Sequence, residues 1–263
     1  METVGDITYP TQRHEKAAAS VVDFFSHTYG VDTVLLVGSC LRGRATHDSS
    51  LEITVLVNPD LLTADASNLV QSWKMYYDNE GVFRHLEETG RFSRVQMTVT
   101  DGCITPSFHG WISGPDDFEV KIGNLVVYNV PLVEPGEYLT RLKDRWLPYY
   151  SNQLRAERLA MVRRYCLNNL QHVPLYVEQG LYFQAFDRLY KALGEFFQTL
   201  FIARRTYPIA YDKWIREQVK DILGLSELYR EMVGFLEIRS FESGEISRKA
   251  EKLEKLLDDY CYD

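Results

Sequence analysis

A glycine–serine pair stands where a short aliphatic run ends and a polar stretch begins. Val34–Val37 leads into Gly38 and Ser39, and a second aliphatic run, Leu51–Val57, follows the polar stretch. Glycine lets another group approach the backbone closely, and the start of a helix offers amide N–H groups to an anion. The pair therefore predicts a phosphate-binding turn between two strands.

Glu52 is the carboxylate that strand alternation directs toward this turn. Successive side chains of a strand point to opposite faces, so Ser50, Glu52 and Thr54 share one face and the aliphatic residues share the other. Glu52 is thus expected beside Gly38 and Ser39. A carboxylate next to a phosphate site indicates a divalent cation with oxygen ligands.

This segment resembles the nucleotidyltransferase fold of the DNA polymerase β superfamily, and in particular its small-molecule branch, which includes the aminoglycoside nucleotidyltransferases. The positions that match the family pattern are Gly38, Ser39, Arg42, Gly43, Ala45, Ser49 and Glu52. The resemblance implies Mg²⁺ and a nucleoside triphosphate, with ATP the expected nucleotide. It also implies transfer of a nucleoside monophosphate to a hydroxyl of a small molecule or another acceptor, with release of pyrophosphate.

The resemblance assigns roles to individual residues. Glu52 is the expected metal ligand and a catalytic carboxylate. The residues expected against the nucleotide are Gly38, Ser39, Arg42, Ser49 and Ser50. Lys213, which follows Tyr207–Pro208 in a pattern similar to that of helical-domain relatives, is a further candidate phosphate contact; its simpler interpretation is the start of a helix.

The sequence departs from the family at its carboxylates. Ser50 stands where active members carry the first aspartate, and a hydroxyl is a much weaker ligand for Mg²⁺ than a carboxylate. The strand expected to carry a third carboxylate has Gln96 and other non-acidic residues on the equivalent face. The nearby substitutes are Asp48 as a metal ligand, Asp101 as a catalytic group, and Glu119.

Three hypotheses remain open. The chain is a working nucleotidyltransferase with a rearranged carboxylate set, drawn from Asp48, Glu52 and either Asp101 or Glu119. Alternatively, it is a catalytically degenerate member that serves as a nucleotide-binding or protein-interaction module. In the third, it is an oligomerising or toxin–antitoxin type of protein whose helical domain forms the interface.

The elements that must position these residues fall into two groups. Residues 1–135 predict an α/β (α+β) domain with a mixed sheet, and residues 136–263 predict an all-α helical bundle. The first group comprises a helix over Arg13–His27, strands over Thr33–Val37 and Leu51–Val57, a helix over Ser67–Leu86 interrupted near Asn79–Gly81, a strand over Phe92–Val99, and a hairpin over Phe118–Val130 turned at Gly123–Asn124. The second comprises helical segments over Tyr138–Leu170, Leu181–Arg205, Asp212–Leu236 and Ser243–Asp259.

Composition limits the classes of protein. The 263 residues carry a net charge of −8, which disfavours a dedicated binder of duplex nucleic acid. No apolar stretch approaches the roughly 18 residues of a membrane-spanning helix, so no membrane partner is expected. The four cysteines show no metal-binding or redox spacing. We therefore expect a cytoplasmic protein with reduced thiols, with a homodimer as an open possibility.

Overall fold

A computed structural model of the protein describes residues 7–60, 66–106 and 113–262. The chain divides into two compact units, one formed by Met1–Ile104 with Asn124–Pro148 and the other by Thr105–Gly123 with Tyr149–Asp263. The chain thus leaves the first unit after residue 104, returns at residue 124, and leaves again after residue 148. The expected boundary between residues 135 and 136 falls within the second stretch of the first unit.

The first unit is built on a four-stranded mixed sheet. Its strands are β1 (Val31–Val37), β2 (Leu51–Val57), β3 (Val95–Thr100) and β4 (Val130–Pro131), in the order β3-β2-β1-β4. β1 pairs antiparallel with β2 and β4, whereas β2 and β3 are parallel. The expected pairing of the two strands that flank the glycine–serine turn is confirmed.

Helices cover one face of this sheet. α1 (Gln12–Ser26), α3 (Ala66–Asn79) and α4 (Gly81–Glu87) supply the residues that pack on the aliphatic side of β1 and β2. Trp73 of α3 stacks on Phe25 of α1 with ring centroids 5.2 Å apart. The interruption expected near Asn79–Gly81 is the break between α3 and α4.

On the other face of the sheet, α6 (Glu137–Trp146) packs against β1. The Asp32 carboxylate accepts hydrogen bonds from the amides of Tyr138 at 3.0 Å and Leu139 at 2.9 Å, which satisfies donors in the first turn of α6. A carboxylate there also suits the positive end of the helix dipole. β1 therefore fixes the start of α6.

The hairpin expected over Phe118–Val130 is wrong. The chain instead forms α5 (Phe118–Ile122), a π-helical turn over Gly123–Val127 and the short strand β4. Gly123 has a φ of −54°, so it does not adopt the positive φ that the tight hairpin turns require. Glu119, expected on a strand, is a fully buried residue of a helix in the second unit.

The second unit is a bundle of helices, as expected. Its long helices are α7 (Asn152–Glu178), α8 (Tyr182–Ala203), α9 (Ser226–Phe235) and α10 (Glu245–Tyr260), with a π-helical turn over Glu217–Ile222. The single helix expected over Tyr138–Leu170 is two helices, because α6 ends before Pro148 and Ser151 caps α7 by accepting from the Leu154 amide at 3.2 Å. Of the described helices, none has the length and apolar character needed to cross a bilayer.

A buried ionic network joins α5 to this bundle. The Glu119 carboxylate accepts hydrogen bonds from Arg158 Nε at 2.9 Å, Tyr150 Oη at 2.9 Å and Gln198 Nε2 at 2.8 Å. Burial alone would lower the pKa of Arg158, but Glu119 and Asp116 raise it above its ordinary value. The arginine is therefore charged, and Glu119 is used to hold α5 in the bundle.

A second buried carboxylate, Glu195 on α8, has different neighbours. It accepts from Asn169 Nδ2 at 3.0 and 2.8 Å, and Asn169 Oδ1 in turn accepts from Arg188 at 2.7 Å. Glu195 and Asn169 are both fully buried. Burial raises the pKa of Glu195 from 4.5 to about 7, although Asn169 and Arg188 act in the opposite direction.

We predict that Glu195 makes the protein less stable as the pH rises from 4.5 to about 7. The folded state holds the proton more tightly than the unfolded state over this range, so ionisation costs up to about 3 kcal/mol of unfolding free energy at higher pH. Urea denaturation at several pH values, compared between the parent protein and Glu195→Gln, measures this contribution. Parallel pH profiles of the two proteins would contradict the prediction.

Candidate functional site

The glycine–serine turn lies at the end of β1, next to Glu52. α2 (Gly38–Leu41) is a single helical turn directly after β1, and Val37 pairs with Glu52 across the antiparallel ladder. Gly38 has a φ of +73°, and a Cβ placed on it would lie 2.6 Å from both carboxylate oxygens of Glu52. The Glu52 carboxylate thus sits against the Gly38 backbone, where strand alternation places it.

The backbone before β2 is held from two sides. His14 of α1 is fully buried, with its Nε2 2.8 Å from the Ser49 carbonyl oxygen. Cys40 Sγ lies 3.7 Å from the Ser50 carbonyl oxygen. The Ser49 hydroxyl accepts from the Thr46 amide at 2.9 Å. Ser49 and Ser50 therefore shape the loop that leads into Glu52, and these contacts are made largely by their backbones.

Sequence reasoning missed His14. The signal was its position, because residues 14, 17, 21 and 25 recur at helical spacing and all four are buried. A histidine within an apolar stripe needs partners for both ring nitrogens. His14 finds them in Thr11, whose hydroxyl lies 2.8 Å from Nδ1, and in the Ser49 carbonyl.

The two arginines of the loop differ in exposure. Arg42 is half-buried and Arg44 is exposed. Their amides donate to the Ser39 carbonyl at 3.2 and 3.1 Å, which closes a tight turn after α2. These hydrogen bonds therefore hold the backbone of both arginines close to Ser39.

The electrostatics of the turn are set by burial and by Glu52. Burial raises the pKa of the Cys40 thiol to about 11, and the negative charge of Glu52 adds to the shift. Cys40 is therefore a protonated thiol at neutral pH and a poor nucleophile.

The β3 residues that pair with Glu52 and Thr54 are uncharged. In the parallel register Glu52 lies opposite Gln96, and Thr54 lies opposite Thr98. Gln96 and Thr98 are exposed, and Glu52 and Thr54 are half-buried. Glu52 thus lies in a row of side chains that can form hydrogen bonds on this face of the sheet.

The structure directs Asp48 toward a different loop. Its Oδ1 accepts from the Arg91 amide at 2.8 Å, and its Oδ2 lies 3.5 Å from His47 Nε2. A Cβ added to Gly90 would lie 2.8 Å from the Asp48 Cα, so the two loops pack closely. In this structure Asp48 fastens the turn before β3.

Asp101 lies at the other end of the sheet from Glu52. Glu52 is in register with Gln96, and Leu56 with Thr100, so Asp101 is five positions further along the parallel pair. At 3.3 Å per residue the separation is about 16 Å. The structure therefore does not bring Asp101 and Glu52 to one centre.

Lys213 belongs to the second unit, where it is exposed and its carbonyl oxygen accepts from Gln218 Nε2 at 2.9 Å. The next residue, Trp214, has a φ of +59° and is half-buried. This backbone geometry marks a turn before the helical residues that follow.

The fit of these residues to Mg²⁺ is limited to Glu52. Among the described residues there is no group of three or more histidine, cysteine, aspartate or glutamate side chains that could hold a metal. Mg²⁺ is commonly bound through one or two carboxylates together with substrate phosphates. Glu52 fits one ligand position of that kind of site.

We predict that Gly38→Ala destabilises the protein more than Gly43→Ala. Both glycines have a positive φ, +73° and +60°, but a Cβ at Gly43 meets nothing within 4 Å. Each substitution carries a backbone cost of about 1–2 kcal/mol. Gly38→Ala adds about 1–3 kcal/mol because the new methyl group collides with Glu52.

Urea denaturation of both single variants measures the difference, with Gly43→Ala as the matched control. Adding Glu52→Ala to Gly38→Ala should recover the extra loss, which a double-mutant cycle reports as a coupling energy. Equal losses for the two glycine variants would show that the Gly38–Glu52 contact is absent in solution.

Comparison with models of known protein families finds no match for this chain, and comparison with curated proteins finds none either.

Proposed function

We propose that the first unit is a nucleotidyltransferase-like module that binds a Mg²⁺–nucleoside triphosphate, with ATP the expected nucleotide, at Gly38, Ser39 and Glu52. The observation that supports this proposal is the Glu52 carboxylate lying against the Gly38 backbone at the end of β1. Because position 38 has no side chain, the Glu52 carboxylate reaches the turn at which the phosphate groups would bind.

The negative charges of Glu52 and the triphosphate make a metal ion necessary at this site. A carboxylate beside a triphosphate is repelled unless a cation lies between them. Mg²⁺ held by the phosphates keeps several waters and needs only one or two protein carboxylates. Glu52 supplies one carboxylate from β2, and Arg42 and Arg44 supply positive charge on the turn that follows Ser39.

The geometry favours binding over nucleotidyl transfer. Transfer requires a group that removes the acceptor proton and, in the family that this segment resembles, two metal ions held by several carboxylates. Here Ser50 precedes Glu52 and Gln96 lies opposite it, both uncharged. Asp48 binds the Arg91 amide, and Asp101 lies at the far end of the sheet.

The test is calorimetric titration of the full chain with ATP and with GTP, each with and without Mg²⁺. We expect micromolar binding that requires Mg²⁺ and weakens at least tenfold in Glu52→Gln, which keeps the shape of the side chain and removes its charge. The matched control is Asp78→Asn, which neutralises an exposed carboxylate on α3. Its affinity should equal that of the parent protein.

Two outcomes would overturn the proposal. One is the absence of nucleotide binding by a folded protein, and the other is binding that is indifferent to Mg²⁺ or to Glu52→Gln. Incubation with labelled nucleotide and a panel of hydroxyl acceptors separates binding from catalysis. Metal-dependent transfer of the label would establish the working-enzyme hypothesis in place of the binding module.

A further inference from the structure

A cleft lies in the first unit at the carboxyl ends of the parallel strands β2 and β3. Its volume is about 680 Å³, within the usual range for small-molecule sites. The residues that line it are Val57, Val70, Gln71, Lys74, Val99, Thr100 and Asp101. It lies at the opposite end of these strands from Glu52, so it is separate from the proposed nucleotide site.

The cleft has an aliphatic floor and wall. Val57 is the last residue of β2 and Val99 is the residue before the last of β3, and both lie on the face that carries α3. Val70 of α3 has 46% of its surface exposed. Exposed aliphatic surface in a concavity is favourable to cover, because its removal from water releases about 25 cal/mol per Å². The apolar part of a ligand would pack here.

Opposite charges face the same cleft without neutralising each other. Asp101 lies in the turn directly after β3 and lines the cleft together with Val99. Lys74 lies one helical turn after Val70. Within the part of the chain that the structure describes, neither Lys74 nor Asp101 forms an ion pair.

The carboxylate of Asp101 is held by its own turn. Oδ1 accepts from the Cys103 amide at 2.9 Å, and the Asp101 carbonyl accepts from the Tyr138 hydroxyl at 2.5 Å. Gly102 has a φ of +67° and packs against Leu142 of α6. These contacts fix the turn, and Asp101 Oδ1 is held by the Cys103 amide.

The opposite wall is also fixed. Trp73, the neighbour of Lys74, is 6% exposed and packs into the core against Phe25 and Phe83. α3 therefore cannot move away from the strands without opening that aromatic cluster. Both charged groups are mounted on elements that the core holds in place, which lowers the ordering cost of binding.

We propose that this cleft binds a small zwitterion with an aliphatic body, the chemical class of branched-chain amino acids and their short peptides. The ammonium group would pair with Asp101, the carboxylate with Lys74, and the aliphatic part would cover Val57, Val70 and Val99. A ligand with one charge would leave the other protein charge partly desolvated and without a partner. The proposal does not depend on the nucleotide site.

The test is calorimetric titration of the full chain with L-leucine and with L-leucyl-L-leucine. From the size of such ligands we expect dissociation constants on the order of 0.1–1 mM for the dipeptide and weaker binding for leucine. Isocaproate, which lacks the ammonium group, and isoamylamine, which lacks the carboxylate, should each bind at least tenfold more weakly than leucine.

Two variants locate the binding. Asp101→Asn keeps an oxygen for the Cys103 amide but removes the charge, and Lys74→Met keeps the aliphatic stem. Each should weaken dipeptide binding at least tenfold, with an unchanged urea midpoint. The matched controls, Asp78→Asn on α3 and Lys16→Met on α1, should bind like the parent protein.

Two results would overturn the proposal. The first is no heat of binding for either zwitterion at concentrations up to about ten times the expected dissociation constant, with the protein folded. The second is binding that is the same in Asp101→Asn and Lys74→Met as in the parent protein. Failure of the nucleotide titration leaves these results unchanged, because Glu52 takes no part in them.

Discussion

The antiparallel register of β1 and β2 is the constraint on which the first unit depends. Pairing Val37 with Glu52 places the aliphatic residues of both strands on the face covered by α1, α3 and α4. The same pairing brings the Glu52 carboxylate against Gly38. A slip of one residue would reverse every side chain of β2, exposing the core residues and burying Glu52. Core packing and site geometry are therefore fixed by one ladder of hydrogen bonds.

Many of the helices and strands of the first unit could be predicted from the local pattern of apolar and turn-forming residues. The strands around the glycine–serine turn, the helix before them and the break between α3 and α4 follow from apolar periodicity and from glycine and asparagine positions. The orientation of Glu52 followed from alternation alone. These features are encoded by residues close together in the chain, which is why a single sequence predicts them.

The predictions that were wrong concern features that depend on contacts between residues far apart in the chain. The hairpin expected over Phe118–Val130 rested on the Gly123–Asn124 turn signal. In the structure Glu119 of this segment instead accepts a hydrogen bond from Arg158, a residue far along the chain. Asp101 was grouped with Glu52 because it follows the expected strand, but the parallel direction of β3 takes it to the far end of the sheet. Neither the direction of a strand nor the partner of a buried charge can be inferred from local spacing.

The two buried carboxylates of the bundle illustrate how the partner decides the role. Glu119 accepts from a guanidinium, so its negative charge is balanced where it lies. Glu195 accepts from the neutral amide of Asn169, and burial raises its pKa to about 7. The first holds a segment in place, and the second keeps its proton to a higher pH than an ordinary carboxyl group does.

The passage of residues 105–123 into the second unit also determines how the chain can be divided. A fragment that begins at residue 136 would carry Arg158 but not Glu119 or Asp116. A buried arginine without its carboxylates costs about 3–5 kcal/mol, a large part of the stability of a single bundle. During synthesis Asp116 and Glu119 emerge before α7, so they have no partner until Arg158 has been added to the chain. The bundle is therefore a folding unit assembled from two separated stretches of chain. Fusing it to another protein would preserve its structure only if residues 105–123 were included.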